Sequence, residues 1–180
     1  NSLVSNKGFE NLSKNINTHQ SKWKESVSIT YDKVALNKIW TETLYETAHN
    51  EGIGFITTPY SMELVDYVEP FIDAYKIGSG DITYNSIIKK ISQKKKPTLI
   101  AAGAALLDEV HLAMQILNPI MEEVCLMQCN TNYEGSIKNA QFQNLNVLKT
   151  FSELFPKCIL GFHESLLCYL MILHKTSSLH

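Results

Sequence analysis

The stretch "AYKIGSGDIT" (residues 74–83) begins as an apolar, β-rich segment and ends in groups able to bind. Ala74, Tyr75 and Ile77 belong in a core, Lys76 interrupts them, and Gly78, Ser79, Gly80 and Asp81 follow at once. Helical patterns lie on both sides: a short one over "MELVDYVEP" (62–70) and a second over about 85–93. The segment is therefore one strand of a strand-helix alternation, and the alternation continues in both directions.

Upstream, "GIGFITTPY" (52–60) reads as a strand. It is preceded by a helix in which Ile39, Trp40, Leu44 and Ala48 recur at helical spacing and Gly52 marks the stop. Downstream, "PTLIAAG" (97–103) leads into the amphipathic "ALLDEVHLAMQIL" (105–117). "EVCLMQCN" (123–130) leads into a helix over about 141–155, and "KCILGF" (157–162) is the fifth strand. The strands are short and apolar without clean alternation, as expected for a parallel sheet covered on both faces. Consecutive βα units leave a doubly wound open sheet or a (β/α)8 barrel.

The polar strand ends favour the barrel. Carboxyl ends carry Thr57-Thr58-Pro59-Tyr60, then Ser79-Gly80-Asp81, then Gln128 through Tyr133, then His163-Glu164. A barrel gathers every strand end around one mouth, whereas an open sheet concentrates its ligand at one switch point. "GSGDIT" is a weak match to the dinucleotide fingerprint, because Thr83 stands where the last glycine belongs.

Composition narrows the function classes. The chain has 180 residues, 44% hydrophobic and 19% charged, which describes an ordinary globular protein. A net charge of −2 gives no electrostatic case for nucleic acid or an anionic membrane as partner. Four cysteines, at 125, 129, 158 and 168, include no C-x-x-C pair, so reduced buried thiols in a cytoplasmic protein are expected rather than zinc. The longest apolar stretch, 166–173, is too short to span a bilayer, and no signal peptide is visible. Residues 1–35 read as a polar arm with one short helix, 36–162 as the barrel repeats, and 163–180 as a divergent tail.

Lys76 is the sharpest chemical signal. An ammonium in a packed strand costs several kcal/mol unless an anion meets it. One reading pairs it with a neighbouring carboxylate or lets it snorkel to the rim; the other presents it to a phosphate or carboxylate ligand, or uses it as a Schiff-base amine. Ser79 between two glycines, with Thr58 at the preceding strand end, favours an oxyanion. Asp81 suits either the neutral half of a substrate or the N-cap of the next helix. The lysines at 89, 90 and 94–96 read as a solvated helix end, His111 as a partly exposed side chain, and His163 as a lone imidazole.

In order and spacing, "FITTPYSMELVDYV", "AYKIGSGDIT", "CLMQCNTNY" and "NLNVLKTFSELFP…ILG" closely resemble the N-acetylneuraminate (sialic acid) synthase family over roughly residues 20–162. The resemblance implies a (β/α)8 barrel of which this chain supplies about strands three to seven. It implies condensation of phosphoenolpyruvate with N-acetylmannosamine or a related amino-sugar aldehyde, releasing phosphate, with Mn²⁺ or Mg²⁺ as cofactor. It assigns Thr58, Lys76 and Ser79 to phosphoenolpyruvate, Asp81 and Tyr133 to the amino-sugar, and Lys76 and Asp81 to catalysis. The chain also departs from the pattern. Ala101 in "AAG" replaces a phosphate-binding serine, and "GFHESL" stands for "GLSDHT", which puts Ser165 at the metal-binding histidine. No metal ligand is assigned, and likeness ends after Gly161. The rival expectation is an inactive remnant that at most binds phosphoenolpyruvate, or self-associates as a homo-oligomer through its sheet edges.

Overall fold

The computed structural model describes residues 24–131, 141–163 and 170–173, the last by backbone alone. It resolves into two compact units. Residues 56–58 and those from 73 onward form one, and residues up to 55 together with 59–72 form the other.

The smaller unit is helical. α1 (Val27–Val34) starts at Ser26, whose Oγ accepts a hydrogen bond from the Ile29 N–H, and α2 (Trp40–Asn50) ends before Gly52 at φ +72°. That left-handed position is open to glycine without a Cβ clash, so the expected stop is observed where the sequence placed it. α3 (Met62–Val68) is capped by the Ser61 hydroxyl, which accepts from the Leu64 N–H at 3.2 Å, and runs on into a 3₁₀ turn at Glu69–Phe71. Tyr67 ties the unit together. Its hydroxyl donates to the Lys38 carbonyl at 3.0 Å, while the Lys38 ammonium lies 5.3 Å from its ring centroid. The helical spacing that predicted α2 is real, yet Ile39 and Trp40 stay 66% and 56% exposed.

The larger unit is a sheet. β1 (Ile56–Thr57), β2 (Ala74–Ile77), β3 (Thr98–Ala101), β4 (Val124–Cys129) and β5 (Ile159–His163) pair in parallel, each with its sequence neighbour, in the order β1-β2-β3-β4-β5. This order never reverses. Right-handed crossovers in this order would send the helices within this unit to one side, as in a barrel wall, and the order leaves no switch point of the doubly wound kind. α4 (Asn85–Lys94) and α5 (Leu107–Leu117) pack together, and α6 (Val147–Leu154) lies against β4 and β5.

Alternation along each strand sorts the side chains into two faces. Tyr75, Ile77, Ile100 and Leu126 are fully buried, as are the helix residues Ile88, Ile91, Met114 and Leu117. Each such side chain contributes about 1.5–3 kcal/mol through burial. The opposite face, called inner here, carries Ala74, Leu99, Ala101, Cys125, Met127 and Cys129, which form one cluster with Ile159 against it. The register is explicit: Lys76 pairs with Leu99, Leu99 with Cys125, Ala101 with Met127, and Cys129 with His163.

Two expected elements shorten. The strand over 52–60 reduces to Ile56–Thr57, hemmed in by Gly54 and by Pro59, which has no N–H for a ladder. The helix over 141–155 begins only at Val147, after Asn144 takes a left-handed φ of 49°. One element is added. β6 (Leu170–Leu173) pairs antiparallel to β5, Leu160 opposite Leu173 and His163 opposite Leu170, so the tail joins the sheet edge instead of extending the parallel order.

Candidate functional site

The carboxyl ends of the parallel strands bring the candidate residues to one rim. On β2 the parity that buries Tyr75 and Ile77 against the helices turns Lys76 to the inner face, beside Leu99. Thr58 follows Thr57, the partner of Tyr75, and so returns to the Lys76 face. Cys129 and His163 stand opposite each other at the ends of β4 and β5 on that same face.

Lys76 is partly buried, and its ammonium makes no hydrogen bond or ion pair among the described residues. The paired-lysine reading therefore has no carboxylate among the described residues to support it. Burial lowers the Lys76 pKa from the ordinary 10.5, and the neighbouring Cys129 thiol opposes that shift. The hydroxyls of Thr58 and Ser79 are likewise uncommitted among the described residues. Three groups that favour an oxyanion thus reach one end of the sheet with no hydrogen-bond partner among the described residues.

Ser79, Gly80 and Asp81 form a 3₁₀ turn directly after β2, closed by the Asp81 N–H donating to the Gly78 carbonyl at 3.0 Å. This turn decides between the two readings of Asp81. α4 begins at Asn85 behind Tyr84 with no side-chain cap, so Asp81 does not act as its N-cap. Its carboxyl is partly buried, and burial raises its pKa above the usual 3.8. The lysine cluster around Lys95 closes α4 in a left-handed C-cap, and the His111 ring sits 5.6 Å from that of Phe155, away from the rim.

Gly103 and Cys129 carry structural weight that the sequence reading missed. A Cβ at Gly103 would meet the Cys129 Sγ, lie 2.7 Å from the Cys129 carbonyl oxygen, and lie 2.9 Å from the Thr131 side chain. Only glycine lets the β3 end pass so close to the β4 end. Cys129 looked like an ordinary buried thiol. The period-two spacing of Cys125, Met127 and Cys129 signals that the three share one face, and the strand register makes it the Lys76 face.

A cavity of about 350 Å³ lies beside the ends of β3 and β4, lined among others by Ala102, Gln128, Asn130, Thr131, Asn144 and Phe151. The Gln128 side-chain amide donates to the Gln143 carbonyl at 3.1 Å, tying the strand end to the returning segment. A second cavity of about 400 Å³, between His111, Met114, Phe155 and Lys157, sits at the other end of β4 and β5. Tyr133, expected at the sugar, lies outside the described residues, as do Glu164 and Ser165.

The metal that the resemblance implies can be tested against these side chains. Mn²⁺ and Mg²⁺ take mainly oxygen ligands in octahedral sites. Among the described residues no three His, Cys, Asp or Glu side chains come together, and the inner-face rim offers an ammonium, a thiol and one imidazole. The described donors do not fit such an ion. Nor, among the described residues, is any helix long and apolar enough to cross a membrane.

Comparison with known proteins follows from this geometry. Over 115 residues the chain is 29% identical to a pseudaminic acid synthase of Campylobacter jejuni, covering 61% of this chain and 33% of that protein. Over 125 residues it is 27% identical to the N-acetylneuraminate-9-phosphate synthase of Mus musculus, covering 68% and 34%. The chain thus spans about a third of the length of these curated relatives. Among solved structures, the N-acetylneuraminic acid synthetase of Leptospira borgpetersenii superposes with a TM-score of 0.65 at 19% identity, covering 72% of this chain and 45% of that one. That superposition places the sheet in the incomplete (β/α)8 barrel of the sialic acid synthase type. The NeuB family model matches residues 2–167, beyond both ends of the resemblance read from the motifs, and the chain belongs to the NeuB family.

Proposed function

We propose that this chain carries the phosphoenolpyruvate-binding part of a nonulosonic (sialic) acid synthase. The observation that carries the reading is the Lys76 ammonium, partly buried on the inner face with no ion pair among the described residues, with Thr58 and Ser79, whose hydroxyls are uncommitted among the same residues, at the ends of β1 and β2. Desolvation penalises an unpaired ammonium, and an anionic ligand removes the penalty. The names of the relatives, synthases of pseudaminic and N-acetylneuraminic acids, supply the reaction class.

In this reading Lys76 pairs with the carboxylate or phosphate of phosphoenolpyruvate, and Ser79 and Thr58 donate to its remaining oxygens. Asp81 and Tyr133 orient N-acetylmannosamine or a related amino-sugar so that its aldehyde carbon faces the enol carbon. The enol carbon attacks that carbon and the aldehyde oxygen takes up a proton. Water then adds to the resulting oxocarbenium-like centre, and the C–O bond to phosphate is resolved with release of inorganic phosphate. Lys76 and Asp81 are the catalytic residues of this scheme. Its test is phosphate release from phosphoenolpyruvate by the 180-residue chain in the presence of N-acetylmannosamine, with the product identified by mass spectrometry. Release that depends on the sugar and disappears in Lys76→Met supports the reading. Release indifferent to Lys76→Met refutes the assignment.

One observation favours a second reading, a non-catalytic remnant that binds phosphoenolpyruvate or self-associates. β6 lies antiparallel on β5, along the edge where a further parallel strand would continue a barrel. Sedimentation at several concentrations, with turnover measured on the same samples, separates the two readings.

A further inference from the structure

The end of the sheet opposite the rim holds a second constellation. α5 packs mainly on α4 and on the 3₁₀ segment Asn118–Glu123, whereas α6 lies mainly against β4 and β5. Between them, at the amino end of β4 and β5, opens the cavity of about 400 Å³, a size common for sites that take small organic ligands. His111, Gln115 and Asn118 recur at i, i+4 and i+7, so one flank of α5 borders the cavity. A flank packed on the next helix would be apolar, and this one carries an imidazole and two amides. Their side chains, and that of Lys157 on the facing wall, make no hydrogen bond or ion pair among the described residues. The floor is different in kind. Met114 and Phe155 are only 1% and 7% exposed, with Met121 partly buried beside them. The His111 ring lies 5.6 Å from that of Phe155, which sets the polar mouth directly against the apolar floor.

We propose that this seam between α5 and α6 is a binding site for a small aromatic carboxylate. Two thioethers and the Phe155 ring offer a flat aromatic body sulfur and edge-to-face contacts. At the mouth the Lys157 ammonium, the His111 ring N–H and the Gln115 and Asn118 amides are all donors, which matches a carboxylate. No acid lines the cavity among the described residues; Glu122 and Glu153, next in sequence to lining residues, are exposed and outside it. A cationic ligand would therefore meet only the Lys157 charge, with no counter-charge in the lining. The site lies at the opposite end of β4 and β5 from the strand-end rim and does not depend on the function proposed above.

The experiment is a ligand-observed magnetic resonance titration of phenylacetate into the full 180-residue chain, with phenylacetamide as the uncharged control and a thermal melt on each sample. Phenylacetate should bind at about 1 mM or tighter and raise the midpoint of a cooperative melt, as a ligand of the folded state must. Phenylacetamide, of the same shape without the charge, should bind at least about fivefold more weakly. Lys157→Glu, a change at an exposed position, should weaken phenylacetate by at least about fivefold. Gln115→Trp fills the seam from an exposed helix position and should abolish binding while the melt stays cooperative. Lys76→Met should bind phenylacetate as the parent does. Binding lost in Lys76→Met but kept in Lys157→Glu puts the anion at the rim and overturns the site. So does an amide that binds as tightly as the acid, a parent that binds no phenylacetate at about 10 mM, or a parent with no cooperative melt.

Discussion

Replacing Lys76 by methionine should make the folded chain more stable while removing its affinity for phosphoenolpyruvate. Methionine follows the lysine stem and leaves the packing beside Leu99 nearly unchanged in volume. What it deletes is an ammonium that is partly buried without an ion pair among the described residues. Fully burying an unpaired charge costs several kcal/mol. Partial exposure and solvent screening reduce this to about 0.5–1 kcal/mol here. For a chain of this size that is a rise of about 1–4 °C in the unfolding midpoint. The sign of the pH dependence follows from the lowered pKa. Between the depressed folded value and the unfolded value of 10.5 the unfolded chain binds more protons than the folded one, so the parent gains stability as pH rises. The advantage of Lys76→Met should therefore be full at neutral pH and fade as pH climbs through that window toward 10.5. Loss of one charge-assisted contact should weaken phosphoenolpyruvate binding by about 1.5–3 kcal/mol, roughly ten- to a hundredfold. Urea titrations of both proteins at neutral and alkaline pH, with calorimetry on the same samples, check all three signs. A Lys76→Met protein destabilised by more than about 1 kcal/mol at neutral pH would show that the ammonium has a counter-charge, and the reasoning would fail.

Other outcomes follow from neighbouring residues. Gly103→Ala forces a methyl against the Cys129 sulfur and carbonyl and should cost about 1–3 kcal/mol, read as a lower urea midpoint at unchanged slope. Asp81→Asn should stabilise the chain slightly above the raised folded pKa of Asp81. The parent loses stability as pH rises through that value, and the difference should vanish below 3.8; acid-range melts of both proteins test it. Burial and the adjacent Cys158 push the Cys125 thiol up to about 11, so native protein at pH 8 should resist alkylation there. Mass spectrometry finding Cys125 labelled before unfolding would contradict the packed inner face.

The sheet was legible because each parallel strand is a short apolar run followed by a helical pattern, and that alternation survives uneven strand lengths. Lys76 was legible for a related reason: an ammonium between Tyr75 and Ile77 is conspicuous in a core strand. Its lack of a counter-ion among the described residues was not, since that depends on what the neighbouring strands bring opposite it. The same holds for Asp81. Whether it caps a helix or belongs to a turn is settled by where α4 begins, and Ser79–Asp81 closes into a turn four residues earlier. Gly103 shows the limit from another side. A glycine after "IAA" signals a turn, but the Cys129 main chain that requires it lies 26 positions further along the sequence. β6 was unreadable because "LLCYLMILH" is apolar at nearly every position, which gives periodicity no face to prefer and says nothing of direction.

The most direct measurement is a crystal structure of the chain with phosphoenolpyruvate. The account predicts ligand density at the strand-end rim, with a phosphate or carboxylate oxygen at about 2.7–3.2 Å from the Lys76 Nζ and within reach of the Ser79 hydroxyl. Density confined to the cavity beside Gln128 and Asn144, with the Lys76 ammonium still unpartnered, would contradict it.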